Sequence, residues 1–166
     1  MINPVNFCLD YAKIPIKKQI SMSHGLHVIY GESGSGKTHL IRCLANFNTS
    51  KNKYFKVVDL KIPELFQIVF QNPENQILSH KLSLELSFGF ESNFNDSTLL
   101  KEKVESLKST LKFIKNWDRH PSTLSGGEME MLNLVTAFSM NPDLILIDDG
   151  LSFMNSDIKS TWVKWK

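Results

Sequence analysis

Residues 31 to 38 read Gly31, Glu32, Ser33, Gly34, Ser35, Gly36, Lys37, Thr38 and fit the spacing G-x-x-x-x-G-K-[ST]. Chemistry follows from the residue types. Glycines at these positions let consecutive backbone N–H groups converge on one point, which is how a chain grips phosphate oxygens. Lys37 supplies a point charge for terminal phosphates, and the Thr38 hydroxyl is a hard oxygen of the kind Mg²⁺ accepts. A second element lies far downstream, where the apolar run Leu144-Ile145-Leu146-Ile147 ends in Asp148. A strand that delivers a carboxylate at its end can orient a metal shell opposite Thr38. The third element is Leu124-Ser125-Gly126-Gly127-Glu128. Ser125 followed three residues later by Glu128 is a capping box, which alone accounts for those two residues as a helix start. It does not account for the paired glycines, which weaken a helix unless something must approach the backbone closely. A second anion site at this helix N-terminus is the functional reading.

These side chains need elements to hold them. Leu26 to Tyr30 is a short apolar run that predicts a strand, and His39 to Ala45 predicts a helix, so the glycine segment is expected as a loop between strand and helix. Tyr54 to Leu60 predicts another strand, and Leu65 to Phe70 is a second apolar run ending at Gln71-Asn72-Pro73. Pro73 disfavours a helical Asn72, so a loop begins there. Leu100, Val104, Leu107, Leu111 and Ile114 recur at helical spacing, with Asn95, Asp96 or Ser97 available as N-cap. That stripe covers barely two heptads, and it reads as a helix packing on its own domain rather than as a coiled coil. A further helix is expected from about Gly126 to Met140, stopped by Asn141-Pro142. The continuous apolar run 144–147 then predicts a strand buried on both faces.

Composition bounds what such a chain can be. The 166 residues are about one domain's worth, enough to bury a core without disulfides or a structural metal. With 42% apolar and 22% charged residues, disorder and collagen-like repeats are excluded. Nineteen Lys and Arg against 17 Asp and Glu leave a charge of +2, too little to indicate nucleic acid or a polybasic anchor without a cluster. The basic stretches at Lys17-Lys18 and Lys51 to Lys56 read as solvated loops. Cys8 and Cys43 have no metal-ligand spacing, and both read as small buried residues. The N-terminal residues lack a signal-peptide pattern, and no apolar run approaches the roughly 18 residues of a membrane helix, so a cytoplasmic protein is expected.

Taken with their order and spacing, these motifs resemble the ATP-binding cassette (ABC) ATPase family across nearly the whole chain. Leu124 to Glu128 looks like the family signature, at the usual distance before Asp148 of the Walker B strand. Gln71 stands where the family places its Q-loop glutamine, and Val69 to Ile77 looks especially like the Q-loop of energy-coupling-factor importers of metals and vitamins. The fold implied is an α/β P-loop NTPase of ABC type, with an N-terminal antiparallel β portion, a central helical subdomain and an incomplete parallel core sheet. Its expected divisions are 1–71, 72–123 and 124–166 of a single domain.

The resemblance also implies roles. Tyr11 would stack on adenine, while Gly31, Ser33, Gly34, Ser35, Gly36, Lys37, Thr38 and His39 would hold ATP. Ser125, Gly126, Gly127 and Glu128 would face the γ-phosphate of a second ABC subunit paired head to tail. Thr38, Gln71 and Asp148 would serve Mg²⁺, and Asp149 with Gln71 would act on the attacking water. The function implied is the ATP-binding subunit of a transporter, coupling MgATP hydrolysis to import of a metal ion or vitamin through an integral membrane partner. It would lie on the inner face of the cell membrane. The heads of chromosome-maintenance and DNA-repair ATPases share two of these motifs but are split by a long coiled coil, for which the interval from Gln71 to Ser125 leaves no room; nucleic acid is not an expected partner.

Departures from the family pattern motivate an alternative, a slow or non-hydrolysing nucleotide-binding module with a regulatory or assembly role. Asp149 replaces the usual glutamate, Asn155 replaces the D-loop aspartate, and Met131 stands where relatives often carry arginine. All five histidines precede Asp148, so none matches the family's switch histidine. By family topology, the strand leading to that histidine inserts between the P-loop strand and the Walker B strand. The chain is therefore expected to be a cassette incomplete at its C-terminus.

Overall fold

The computed structural model describes residues 4–12, 16–47, 55–91 and 97–149. Asn95, Asp96 and the segment carrying Asn155 lie outside the described residues. The chain clusters into two compact units, one holding the described residues up to Ile68 together with Asp143–Asp148, the other holding Val69–Pro142 and Asp149.

The first unit is built on an antiparallel sheet, in the order β2 (Lys17–Met22), β1 (Val5–Tyr11), β3 (Phe55–Lys61). Strand β1 alternates Val5, Phe7 and Leu9 into one buried set, and it pairs with β2 from Val5 opposite Met22 to Asp10 opposite Lys17. Its ladder to β3 is interrupted between Asn6 and Cys8. Helix α1 (Lys37–Leu44) places Ile41 and Leu44 on one face, the i, i+3 spacing that points two side chains the same way. These pack with Val5, Phe7, Leu9, Phe55 and Leu146 in one core. Lys17 and Lys18, expected in a loop, instead begin β2 with their side chains exposed, since an edge strand tolerates charge on its solvent side.

Strands β4 (Phe66–Val69) and β5 (Leu144–Ile147) form a second ladder. The bond from Asp143 N–H to the Leu65 carbonyl joins the N-terminal ends of both strands, so they run parallel. Two sequence expectations fail here. Leu26–Tyr30 forms no strand, and Leu26, Val28 and Tyr30 are 84%, 74% and 92% exposed. A strand exists only through a neighbour's N–H and C=O groups, and this run has no ladder partner among the described residues. Strand β5 is not buried on both faces: Leu146 is buried but Ile147 is exposed, because β4 is its one ladder neighbour among the described residues.

The second unit is helical. Helix α4 (Gly126–Ser139) is buried along most of its length, and α2 (Leu82–Glu91) and α3 (Ser97–Thr110) pack in the same core. The stripe expected from Leu100 to Ile114 is present, with Val104, Leu107, Leu111 and Ile114 buried. The helix itself ends at Thr110, so Leu111 and Ile114 enter the core from the turns that follow. Two short 3₁₀ turns, Pro73–Gln76 and Pro121–Thr123, lead toward α2 and α4.

Candidate functional site

The glycine segment closes onto the start of α1. Gly34 and Gly36 have φ of 78° and 99°, the left-handed region that glycine enters without steric cost. A Cβ on Gly31 would lie 2.9 Å from Ser35 Oγ, so a side chain there would make the Ser35 hydroxyl turn away. Gly36 is the N-cap of α1 and offers no side-chain hydrogen bond, nor does the first turn carry an acidic residue. The free N–H groups and positive end of the helix are thus left to an external anion. Lys37 Nζ donates to the carbonyls of Gly31 (2.8 Å) and Glu32 (2.9 Å), which holds the cation over the loop.

Thr38 Oγ1 donates to Asp148 Oδ1 at 2.9 Å, joining the helix start to the end of β5 across 110 residues of sequence. Asp148 is buried while the Gly31–Ser35 loop is exposed. This hydroxyl and carboxylate form a pair of hard oxygens, a donor set that suits Mg²⁺, and the loop beside them is shaped for phosphate.

An aromatic cluster flanks the same helix. The rings of Tyr11 and Phe55 lie 6.3 Å apart, and His39 meets Phe55 edge-on at 5.1 Å. Sequence reasoning reached Tyr11 and His39 but not Phe55. Nothing in the sequence marks Phe55; in the structure its ring crowds the helix start, where a Cβ on Gly36 would come within 3.1 Å of it. His39 Nε2 also lies 3.4 Å from Cys43 Sγ, one turn along α1. Burial lowers the His39 pKa from the usual 6.5, opposed by a hydrogen bond with the Phe55 backbone and aided by the charge of Arg42. The imidazole is therefore neutral at pH 7.

The remaining sequence-derived residues belong to the second unit. Gln71 Nε2 donates to Asp149 Oδ2 at 3.3 Å, both residues being exposed. Asp149 holds φ of 55°, a left-handed conformation that aspartate tolerates better than most residues. The capping box is complete. Ser125 Oγ accepts from Glu128 N–H at 3.3 Å, and Glu128 Oε2 accepts from both the Ser125 N–H (2.8 Å) and its hydroxyl (2.9 Å). Ser125 and Gly126 are exposed and Gly127 is buried. Met131 is buried in the helical core, so the position where relatives often carry arginine here packs against apolar side chains.

Residues 19–152 match the family described as ABC transporter. The chain belongs to the ABC transporter family. Among its relatives is the energy-coupling factor transporter ATP-binding protein EcfA1 of Fusobacterium nucleatum, 29% identical over 167 residues, covering 93% of this chain and 63% of that protein. The EcfA1 protein of Mycoplasma mobile is 28% identical over 144 residues, covering 82% of this chain and 53% of that protein. This ABC chain thus spans between half and two thirds of the length of these relatives. Its fold resembles cbiO1 from Clostridium perfringens, part of the ABC transporter complex cbiONQ, with a TM-score of 0.68 at 18% identity. That likeness covers 98% of this chain and 74% of cbiO1. The mixed α/β architecture is that of ABC ATPases, as the order of motifs implies. Among the described residues no helix is long and apolar enough to cross a membrane.

Proposed function

We propose that this chain is the ATP-binding part of an ABC importer, which binds MgATP and couples its hydrolysis to transport through a separate membrane protein. The observation that carries the reading is the Gly31–Thr38 cradle with Thr38 joined to Asp148 at 2.9 Å. Backbone N–H groups of the loop and the start of α1 receive the phosphate oxygens, and Lys37 leaves the Gly31 and Glu32 carbonyls for the terminal phosphates. Tyr11 stacks against the adenine, with His39 beside it on the same aromatic cluster. Thr38 and Asp148 would hold Mg²⁺, which would supply charge neutralisation for the bound phosphates; Gln71 is assigned to the ion by the family resemblance alone. Asp149 polarises water, and its hydrogen bond to Gln71 sets which way the carboxylate faces.

In this reading Ser125, Gly126, Gly127 and Glu128 serve a second ABC subunit, homo- or heteromeric. Ser125 and Gly126 are exposed at the start of α4; the Ser125 N–H and hydroxyl are turned to Glu128, so the contact takes its donors from the first backbone N–H groups of the helix. A transporter partner is supported by the names of the relatives, energy-coupling factor transporter ATP-binding proteins and a part of the ABC transporter complex cbiONQ; the inner-face location and a metal ion or vitamin as cargo rest on the family resemblance of the motifs. Calorimetry tests the binding claim. Lys37→Ala is expected to weaken MgATP binding by about tenfold or more, the size of one lost charge-assisted contact; unchanged affinity sinks the assignment.

One observation favours a second reading, a nucleotide-binding module with slow or no hydrolysis. Asp149 is one methylene shorter than the glutamate usual in the family and already engaged by Gln71. Turnover of the full protein at rates typical of enzymes, about 1 s⁻¹ or faster, excludes this alternative.

A further inference from the structure

In the second unit the segment that carries Gln71 is held by side chains from three directions. Phe70 N–H donates to Gln76 Oε1 at 2.8 Å, closing the loop on itself. Leu78 and Ser79 N–H groups donate to Glu85 Oε2 at 2.9 and 2.7 Å, anchoring the far end to α2. Between them Asn133 Nδ2 of α4 donates to the Pro73 carbonyl at 2.9 Å, and both residues are buried. Asparagine is a poor choice for the interior of a helix, because its amide competes with the backbone. Here it stands between Leu132 and Leu134 in a run that is buried throughout. Pro73 begins its 3₁₀ turn without an N–H of its own, and its carbonyl, with two lone pairs, accepts a donor from a different element as well as from its own turn. The bond to Asn133 satisfies both groups.

The same helix begins at the Ser125 cap and Gly126-Gly127, two turns before Asn133. A helix transmits a displacement along its axis with little loss, since each turn is fixed by its own hydrogen bonds. We infer that Asn133 is a positioning residue that couples the Ser125–Gly127 end of α4 to Gln71 through the Pro73 carbonyl. The inference rests on the proposed ATPase reading for its consequence, but the tie itself is a property of the second unit. A shift of α4 on nucleotide contact at Ser125 reaches the turn after Gln71, and through Gln71 it reaches the Asp149 carboxylate.

The test is a double-mutant cycle on the full protein, using Asn133→Leu, which keeps the branched skeleton and removes the donor, and Gln71→Ala. Asn133→Leu is expected to lower kcat for MgATP hydrolysis about tenfold with KM changed less than about twofold, since the Pro73 carbonyl loses its tie to α4 while the phosphate cradle is untouched. In the Gln71→Ala background the same substitution is expected to have almost no further effect. Equal fractional losses in both backgrounds, or an unchanged kcat in the single variant, overturn the inference. Amide hydrogen exchange gives a reading that needs no turnover. Loss of the tie is expected to speed exchange at Phe70 and at residues 74–79 while α4 stays protected; unchanged exchange there also overturns it. If Asn133→Leu does not fold, Asn133→Ser carries both measurements. A native protein that neither binds nor hydrolyses MgATP defeats the proposed function instead, and exchange still decides whether Asn133 holds the loop.

Discussion

Lys37 and Thr38 are neighbours in sequence, yet one side chain turns back over the loop and the other reaches a buried carboxylate. The third residue in that row, His39, answers to pH. Its pKa is depressed chiefly by burial, so the folded state favours the neutral ring. The unfolded chain takes up a proton as pH falls through 6.5 while the folded chain does not, and stability is lost over that range. Above 6.5 the contribution is complete; below the depressed native value the loss levels off. Urea unfolding at about pH 7.5 and about pH 5.5 should show part of the acid loss, and His39→Gln should reduce it. An identical loss in the variant would assign the effect to another group.

Asp149 carries the second residue-scale prediction. Its left-handed backbone suits aspartate, whereas the family glutamate has the longer reach. We expect Asp149→Glu to raise kcat in the full protein, because reach toward the water outweighs the small backbone cost. A lower kcat would mean that the short carboxylate is the adapted one, fitted to Gln71 at its 3.3 Å spacing.

Elements differ in how far a sequence can specify them. Helix α1, helix α4 and strand β5 fall within a residue or two of their expected ranges, because glycine, capping-box and proline signals are local and each is written beside the element it bounds. The Ser125 capping box forms with both bonds in place. Leu26–Tyr30 has the apolar character of a strand and is not one, because pairing is a property of two segments and composition describes only one. The Thr38–Asp148 pair was legible because two motifs each named one member. Asn133, Gln76 and Glu85 were not legible as a set, since nothing in an isolated Asn or Glu tells which distant carbonyl or N–H group it will meet. The one signal for Asn133 was an amide inside the apolar run Leu132 to Val135.

At the scale of the molecule each unit has its own apolar core, the first around Phe7 and Leu44, the second around Leu86, Leu111 and Leu132. The first also leaves apolar side chains in water along a backbone run with no ladder among the described residues. Leu26, Val28 and Tyr30 are largely exposed, and Ile29 between them is exposed as well. Such a segment is a template for pairing with another chain. The 166-residue chain is therefore expected to bind an apolar dye and to self-associate at concentrations where most globular domains stay monomeric. Val28→Lys removes apolar surface at a position that is 74% exposed and should change folding stability by no more than about 0.5 kcal/mol. Dye fluorescence and sedimentation should both fall toward those of a monomer in the variant. If both match the parent chain, this run is covered in solution, and pairing through another surface must account for any association.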